Sequence, residues 1–171
     1  MVGGGATGSA GAPVDRERAW KALETIADPE IPTLSLVEMN VLRSVDVNEG
    51  TVHVVISPTF AGCPAMDHIR GEIRERLHAI GAAAVEIETT YSPPWSSDML
   101  GPAAREKLRA FGIAPPPAAA GDLVTALELP VACPWCGAEK TRLENPFGPT
   151  LCRQIFYCDA CRQSFERFKP L

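Results

Sequence analysis

The sequence predicts an α+β chain, a small mixed sheet covered by helices and followed by a C-terminal cysteine-rich ribbon. Three observations predict it. Apolar residues switch between helical and strand periods across residues 15–112. A Pro/Ala stretch, IAPPPAAAG at 113–121, then breaks both periods. Two CxxC pairs, CPWC at 133–136 and CDAC at 158–161, lie beyond it. The expected organisation is a disordered tail over 1–14, an α+β domain over 15–112, a linker over 113–122 and a ribbon over 123–171.

Each element has a local reason. Ala19, Trp20, Leu23, Ile26 and Ala27 recur at helical spacing, so residues 15–27 read as a helix that must end before Pro29. DPEIP at 28–32 is a turn. Residues 41–47 read as a strand, and Asn48-Glu49-Gly50 as a tight connection to a partner over 51–56. After the loop 57–63, Pro64 suits the first turn of a helix whose stripe is Met66, Ile69, Ile73, Leu77 and Ile80, ended by Gly81. Val85 and Ile87 alternate with Glu86 and Glu88, so 84–90 is a third strand. The strand–helix–strand order makes it parallel to the second. PPWSSD at 93–98 is a loop in which Ser97 or Asp98 can cap a helix over about 102–111, ended by Gly112.

Composition narrows the function. No apolar run approaches the ~20 residues of a membrane-spanning helix, and residues 1–12 lack the basic and apolar blocks of a secretory signal. With six cysteines, this points to a cytoplasmic chain with reduced thiols. The net charge is -5; residues 1–122 hold 10 Lys/Arg against 16 Asp/Glu, and residues 123–171 hold 6 against 5. That balance argues against a nucleic-acid surface, and Arg162, Arg167 and Lys169 read as a solvated face.

The two CxxC pairs are separated by 21 residues, close to a zinc-ribbon spacing. Four thiolates, Cys133, Cys136, Cys158 and Cys161, suit the tetrahedral preference of Zn2+, with an iron-sulfur cluster as the rival. A segment of about 50 residues has too little apolar surface to fold unaided, so a bound metal would supply the missing stability. Redox CxxC motifs or unrelated buried cysteines are the blander alternatives. Cys152 is either a small buried side chain or a candidate extra ligand. Cys63, before Pro64, sits at a helix N-terminus where backbone N–H groups can stabilise a thiolate, or it is part of a tight turn. Asp28 and Glu30 could join it in space. His53, His68 and His78 have no ligand spacing.

In order along the chain stand DPEIP, SPTFAGCPAMDHI, PPWSSDML, KLRAFGIAPP, CPWCG, GPTLCRQIFYC and CDACRQSFERFK. This series resembles the D-subunit family of bacterial phenylacetyl-CoA epoxidase systems, whose first domain is similar to MIP18/SufT-type iron-sulfur assembly proteins. The chain departs from the family's usual pattern at Met99, where an aromatic is common, and at Pro170, where a cysteine is. The resemblance implies an accessory or maturation role, without independent catalysis, beside a di-iron oxygenase and a flavin and iron-sulfur reductase. It puts the assembly-type cysteine at Cys63, for transient iron or an iron-sulfur cluster, the acidic loop at Asp28 and Glu30, and the ribbon ligands at the four CxxC cysteines. The alternative is a structural or electron-transfer component that stays in the complex. A homodimer is a further expectation.

Overall fold

The computed structural model describes residues 13–117 and 129–171. Helix α1, Arg16–Leu23, is capped by the Asp15 carboxylate, which accepts the Arg18 N–H. It stops before the period of its apolar residues does. Ile26 is fully buried outside the helix, because residues 28–36 fold back on it: the Leu36 N–H reaches the Ile26 carbonyl at 2.8 Å, and Asp28 N–H reaches Leu34 O at 2.8 Å. Strands β1 (Leu42–Asn48) and β2 (Thr51–Ile56) pair antiparallel. The connection places Glu49 and Gly50 at positive φ. Helix α2, Ala65–Ala79, then crosses over to β3, Ala84–Thr89, which lies parallel to β2 as expected.

Three strands in the order β1-β2-β3 thus form one sheet, and α2 turns Ile69, Ile73 and Leu77 into the core under it. Val52, Val54 and Ile56 meet them from β2, and Ala19 and Leu23 from α1. A short 3-10 turn at Ser97–Met99 follows, capped by the Ser96 hydroxyl, which accepts the Asp98 N–H; neither Ser97 nor Asp98 caps the next helix, whose N-cap is Gly101 without a side-chain bond. Helix α3, Pro102–Ala110, begins with Pro102 and ends at Gly112, at φ 88°.

The expected spacer opens differently. Ile113–Ala114 form a short strand, β4, parallel to β7 (Gln163–Phe168) in a second sheet of order β4-β7-β6-β5, with β5 at Thr141–Asn145 and β6 at Arg153–Cys158. The prolines come immediately afterwards, so they do not interrupt the two residues that pair. Residues 118–128, and 1–12 of the expected tail, lie outside the described residues. Val14 packs against the first core. Among the described residues no helix is long and apolar enough to cross a membrane.

The second sheet is docked onto the first domain rather than hung from it. Phe168, at the end of β7, is fully buried in the first domain's core, with its ring 5.8 Å from that of Trp95. Trp95 in turn donates from Nε1 to the Met39 carbonyl at 2.7 Å. Buried Ser97 donates its N–H to Leu171 O at 2.9 Å and accepts the Leu171 N–H on its hydroxyl at 3.3 Å. Arg153, the first residue of β6, donates to the Glu30 carbonyl at 2.9 Å and to the Glu166 carboxylate at 2.5 Å. One sequence reading is corrected here. Arg167 is not on a solvated face: it is fully buried, with its guanidinium over the Phe156 ring, and burial lowers its pKa to about 10. Lys169 lies over Phe147, and Arg162 is exposed.

Because Phe168 belongs to a core that it enters from another sheet, Phe168→Ala leaves a cavity that neither side can easily close. The expected loss is about 3–5 kcal/mol, read as a lower midpoint in urea unfolding followed by far-ultraviolet circular dichroism.

Candidate metal centre and the Cys63 loop

The two CxxC segments form matching knuckles. In the first, Gly137 N–H bonds Cys133 O at 2.9 Å; in the second, Arg162 N–H bonds Cys158 O at 2.8 Å. The residue after each second cysteine is left-handed, Gly137 at φ 75° and Arg162 at φ 60°. Glycine takes this conformation without strain, and arginine does not. Each knuckle turns two sulfurs to one point. Cys133 Sγ lies 3.8 Å from Cys161 Sγ, Cys136 Sγ lies 3.6 Å from Cys158 Sγ, and all four sulfurs are within 4.8 Å of one another.

Those distances discriminate between chemistries. A disulfide needs sulfurs about 2.05 Å apart, whereas a tetrahedron with Zn–S bonds of about 2.3 Å separates its sulfurs by about 3.8 Å. The arrangement fits four thiolates around one ion. Its electrostatics agree. Cys158 is lowered to about 7, chiefly by the backbone N–H of Cys161 that points at its sulfur. Cys161 is pushed up to about 12 by burial and by the other three sulfurs. Burial also raises Cys133. Once one sulfur is ionised, the next cannot follow cheaply unless a cation joins them.

Trp135, at the tip of the first knuckle, lies over Gly112, where a Cβ would overlap the indole. Gly112 thus ends α3 and also admits the knuckle; the first role is legible in sequence, and the second needs the fold.

Cys152 is not among the converging sulfurs. It packs instead against the first domain's core, with Thr150 Oγ 3.2 Å from its sulfur, and it is close enough to Cys63 for its charge to bear on that thiol. Cys63 is half-buried and follows Gly62, at φ 81°; its N–H bonds Phe60 O at 3.1 Å. The expected thiolate stabilisation at this helix start is outweighed. The Cys63 pKa is raised, first by burial, against one favourable backbone N–H from Ala65, with Cys152, Asp28 and Glu30 adding negative potential. Cys63 therefore holds its proton until something displaces it.

Asp28 is buried, and its Oδ1 accepts the N–H groups of Glu30 and Ile31 at 2.8 Å each. Burial raises its pKa despite those bonds. Glu30 is the residue that Arg153 grips, with its carboxylate 3.4 Å from that guanidinium. Cys152, Asp28 and Glu30 lie near enough to bear on the charge of Cys63, and Arg153 reaches Glu30 from the ribbon. The histidines stay apart from both groups: His53 pairs with Glu86, His68 with Glu72, and His78 with the Ala82 carbonyl.

Comparison with known proteins matches two segments of the chain to two different families. Residues 16–89 match the family model "Iron-sulfur cluster assembly protein", and residues 119–169 match "PaaD zinc beta ribbon domain". Over 160 residues, covering 92% of this chain and 94% of the other, it is 39% identical to the Escherichia coli (strain K12) protein named as the D-subunit of a putative 1,2-phenylacetyl-CoA epoxidase. The chain belongs to the D-subunit family of phenylacetyl-CoA epoxidases. The first half of this family member also resembles shorter proteins. It is 34% identical to the "Fe-S protein maturation auxiliary factor" of Porphyromonas gingivalis over 47% of this chain and 77% of that one. It is 29% identical to the "Fe-S protein maturation auxiliary factor YitW" of Bacillus subtilis over 50% and 84%. A crystal structure of the domain of unknown function DUF59 from Bacillus anthracis shares its fold, with a TM-score of 0.50 and 22% identity over 54% of this chain and 90% of that one.

Purified under reducing conditions, this D-subunit family member is expected to carry one metal ion per chain, and Cys136→Ser and Cys161→Ser each to lower that content. Protons compete for the four sulfurs, so metal affinity should fall as the pH falls. Metal analysis after dialysis across a pH series checks both expectations.

Proposed function

We propose that this protein is a maturation accessory of a phenylacetyl-CoA epoxidase, helping to install or preserve the iron or iron-sulfur centre of the oxygenase or its reductase. The observation that carries the reading is the placement of Cys63. It is a half-buried thiol before the first turn of α2, in the domain that matches iron-sulfur assembly proteins, and burial raises its pKa. On this reading Cys63 takes the metal cargo transiently. Its raised pKa supports a holder that releases, since a thiol that readily regains its proton gives up its metal more easily than a stable thiolate does.

The ribbon metal has a different part. Four sulfurs at tetrahedral spacing and the zinc-ribbon family match favour zinc, held by Cys133, Cys136, Cys158 and Cys161. Zinc there would supply folding free energy and no redox chemistry. The ribbon then serves as the scaffold that docks to the first domain and presents a face to the client proteins. Iron in the same four-sulfur site would favour the electron-transfer alternative, so a colourless, zinc-loaded protein is the expected result.

The test is to co-produce the epoxidase components with wild-type protein or with Cys63→Ala. The variant is expected to lower iron occupancy and epoxidase activity of the purified complex several-fold while its own zinc content stays normal. Normal occupancy and activity with the variant would refute the reading.

A further inference from the structure

Of the sheet edges among the described residues, β3 is the one left regular and open. β1, at the far side of the first sheet, is interrupted by a register shift between Leu42 and Ser44, and β5 by one between Leu143 and Asn145. β4 is two residues long. β3 instead keeps an unbroken register with β2 over six residues, from Thr51 beside Ala84 to Ile56 beside Thr89, and no described strand pairs with it on the other side. Its hydrogen-bond phase follows from the Thr90 N–H, which reaches the Ile56 carbonyl at 2.8 Å. Successive residues of a strand bond to opposite edges. Glu86 and Glu88 therefore bond inward to β2, while the N–H and C=O groups of Val85 and Ile87 point away from it. The same two side chains are incompletely covered. Val52 and Val54, their register partners on β2, are fully buried, but Val85 and Ile87 are only partly so.

The edge is acidic. Glu86 and Glu88 stand exposed on the face away from α2, and Glu86 shares a row with His53 and Asp46, its carboxylate 3.0 Å from the His53 Nδ1. β3 carries no Lys or Arg; Arg70 reaches its end from α2, donating to the Thr89 hydroxyl at 2.8 Å on the helix-covered face. We infer that β3 takes an added strand from a partner protein, an extended segment in which basic residues alternate with apolar ones. The apolar side chains would cover Val85 and Ile87, and the basic ones would lie beside Glu86 and Glu88. The open N–H and C=O groups would find partners, as in other strand additions at sheet edges. Charge separates this occupant from the alternatives. Residues 1–12 and 118–128, outside the described residues, contain no Lys or Arg. A second copy of β3 would set Glu86 and Glu88 against their own kind, which is how charged edges keep like edges apart. The surface does not involve Cys63, so it stands or falls apart from the proposed function.

The probe is a short fluorescein-labelled peptide alternating lysine and valine, added to the full-length protein, with its glutamate–valine counterpart as control. The lysine peptide is expected to bind and to weaken as salt is raised. It should lose about tenfold in affinity for the double variant Glu86→Gln, Glu88→Gln, and bind Cys63→Ala as it binds the wild type. No binding to the wild type, equal binding of the glutamate peptide, or unchanged affinity in the double variant would overturn the inference. Methylating the peptide's backbone nitrogens separates strand pairing from charge attraction. N-methyl valines block antiparallel addition and N-methyl lysines block parallel addition, so one of the two is expected to abolish binding; binding that survives both contradicts the inference. A further check reads the free protein. Its hydrogen exchange is expected to be faster at the Val85 and Ile87 amides than at those of Glu86 and Glu88, and the lysine peptide is expected to slow the first pair. Protection of Val85 and Ile87 before any peptide is added would mean that the chain itself or a second copy already occupies the edge, and the inference would fail.

Discussion

Four sulfurs within 4.8 Å of one another cannot all ionise unless a cation shares the space between them, and much of this molecule follows from that. The knuckles at Cys133–Gly137 and Cys158–Arg162 are compatible with a metal tetrahedron and with little else. Around them the ribbon has a small core, chiefly Phe156, Phe165 and the buried cysteines themselves. So small a core cannot offset the conformational entropy of ordering the segment by itself. An ion held by the four sulfurs would fix the relative positions of β5, β6 and β7, and strand positions decide what the ribbon can touch.

What it touches is the first domain. β7 delivers Phe168 into the sheet-and-helix core, and the chain end ties Leu171 to Ser97. β6 starts with Arg153, whose buried guanidinium reaches both Glu166 within the ribbon and Glu30 across the seam. A charge buried in this way is tolerated because it is paired on both sides, and removing either partner would leave it uncompensated. The two domains are therefore one mechanical unit along this interface. Cys63 and the four ribbon cysteines are separate groups, in two domains linked by a packed interface.

Much of this was legible in the sequence. The stripe Met66, Ile69, Ile73 and Leu77 marked α2, because a helix between two short alternating segments leaves few other ways to bury itself. The CxxC spacing marked the cluster of four sulfurs, because two turns of that type can aim their sulfurs at one point. Three things were not legible, each because the cause is tertiary. Ile113–Ala114 pair with β7 although Pro-rich sequence follows them, since a two-residue parallel bridge depends on what lies alongside. Arg167 read as a surface charge, and only the sheet shows it laid over Phe156 and buried. Cys152 read as either a small buried side chain or an extra ribbon ligand, and only the strand direction shows it at the end of β6 away from Cys158, packed against the first core.

An ion bound by Cys133, Cys136, Cys158 and Cys161 would hold the ribbon's strands and, through Arg153 and Phe168, its interface with the first domain. Hydrogen exchange read residue by residue, before and after a strong chelator removes the ribbon metal, tests it most directly. The account predicts faster exchange in β5–β7 and also across the seam, at the Glu30, Ile31 and Ser97 amides, with the amides of β2 and α2 still protected. Unchanged protection of Glu30, Ile31 and Ser97 in the metal-free protein would contradict it.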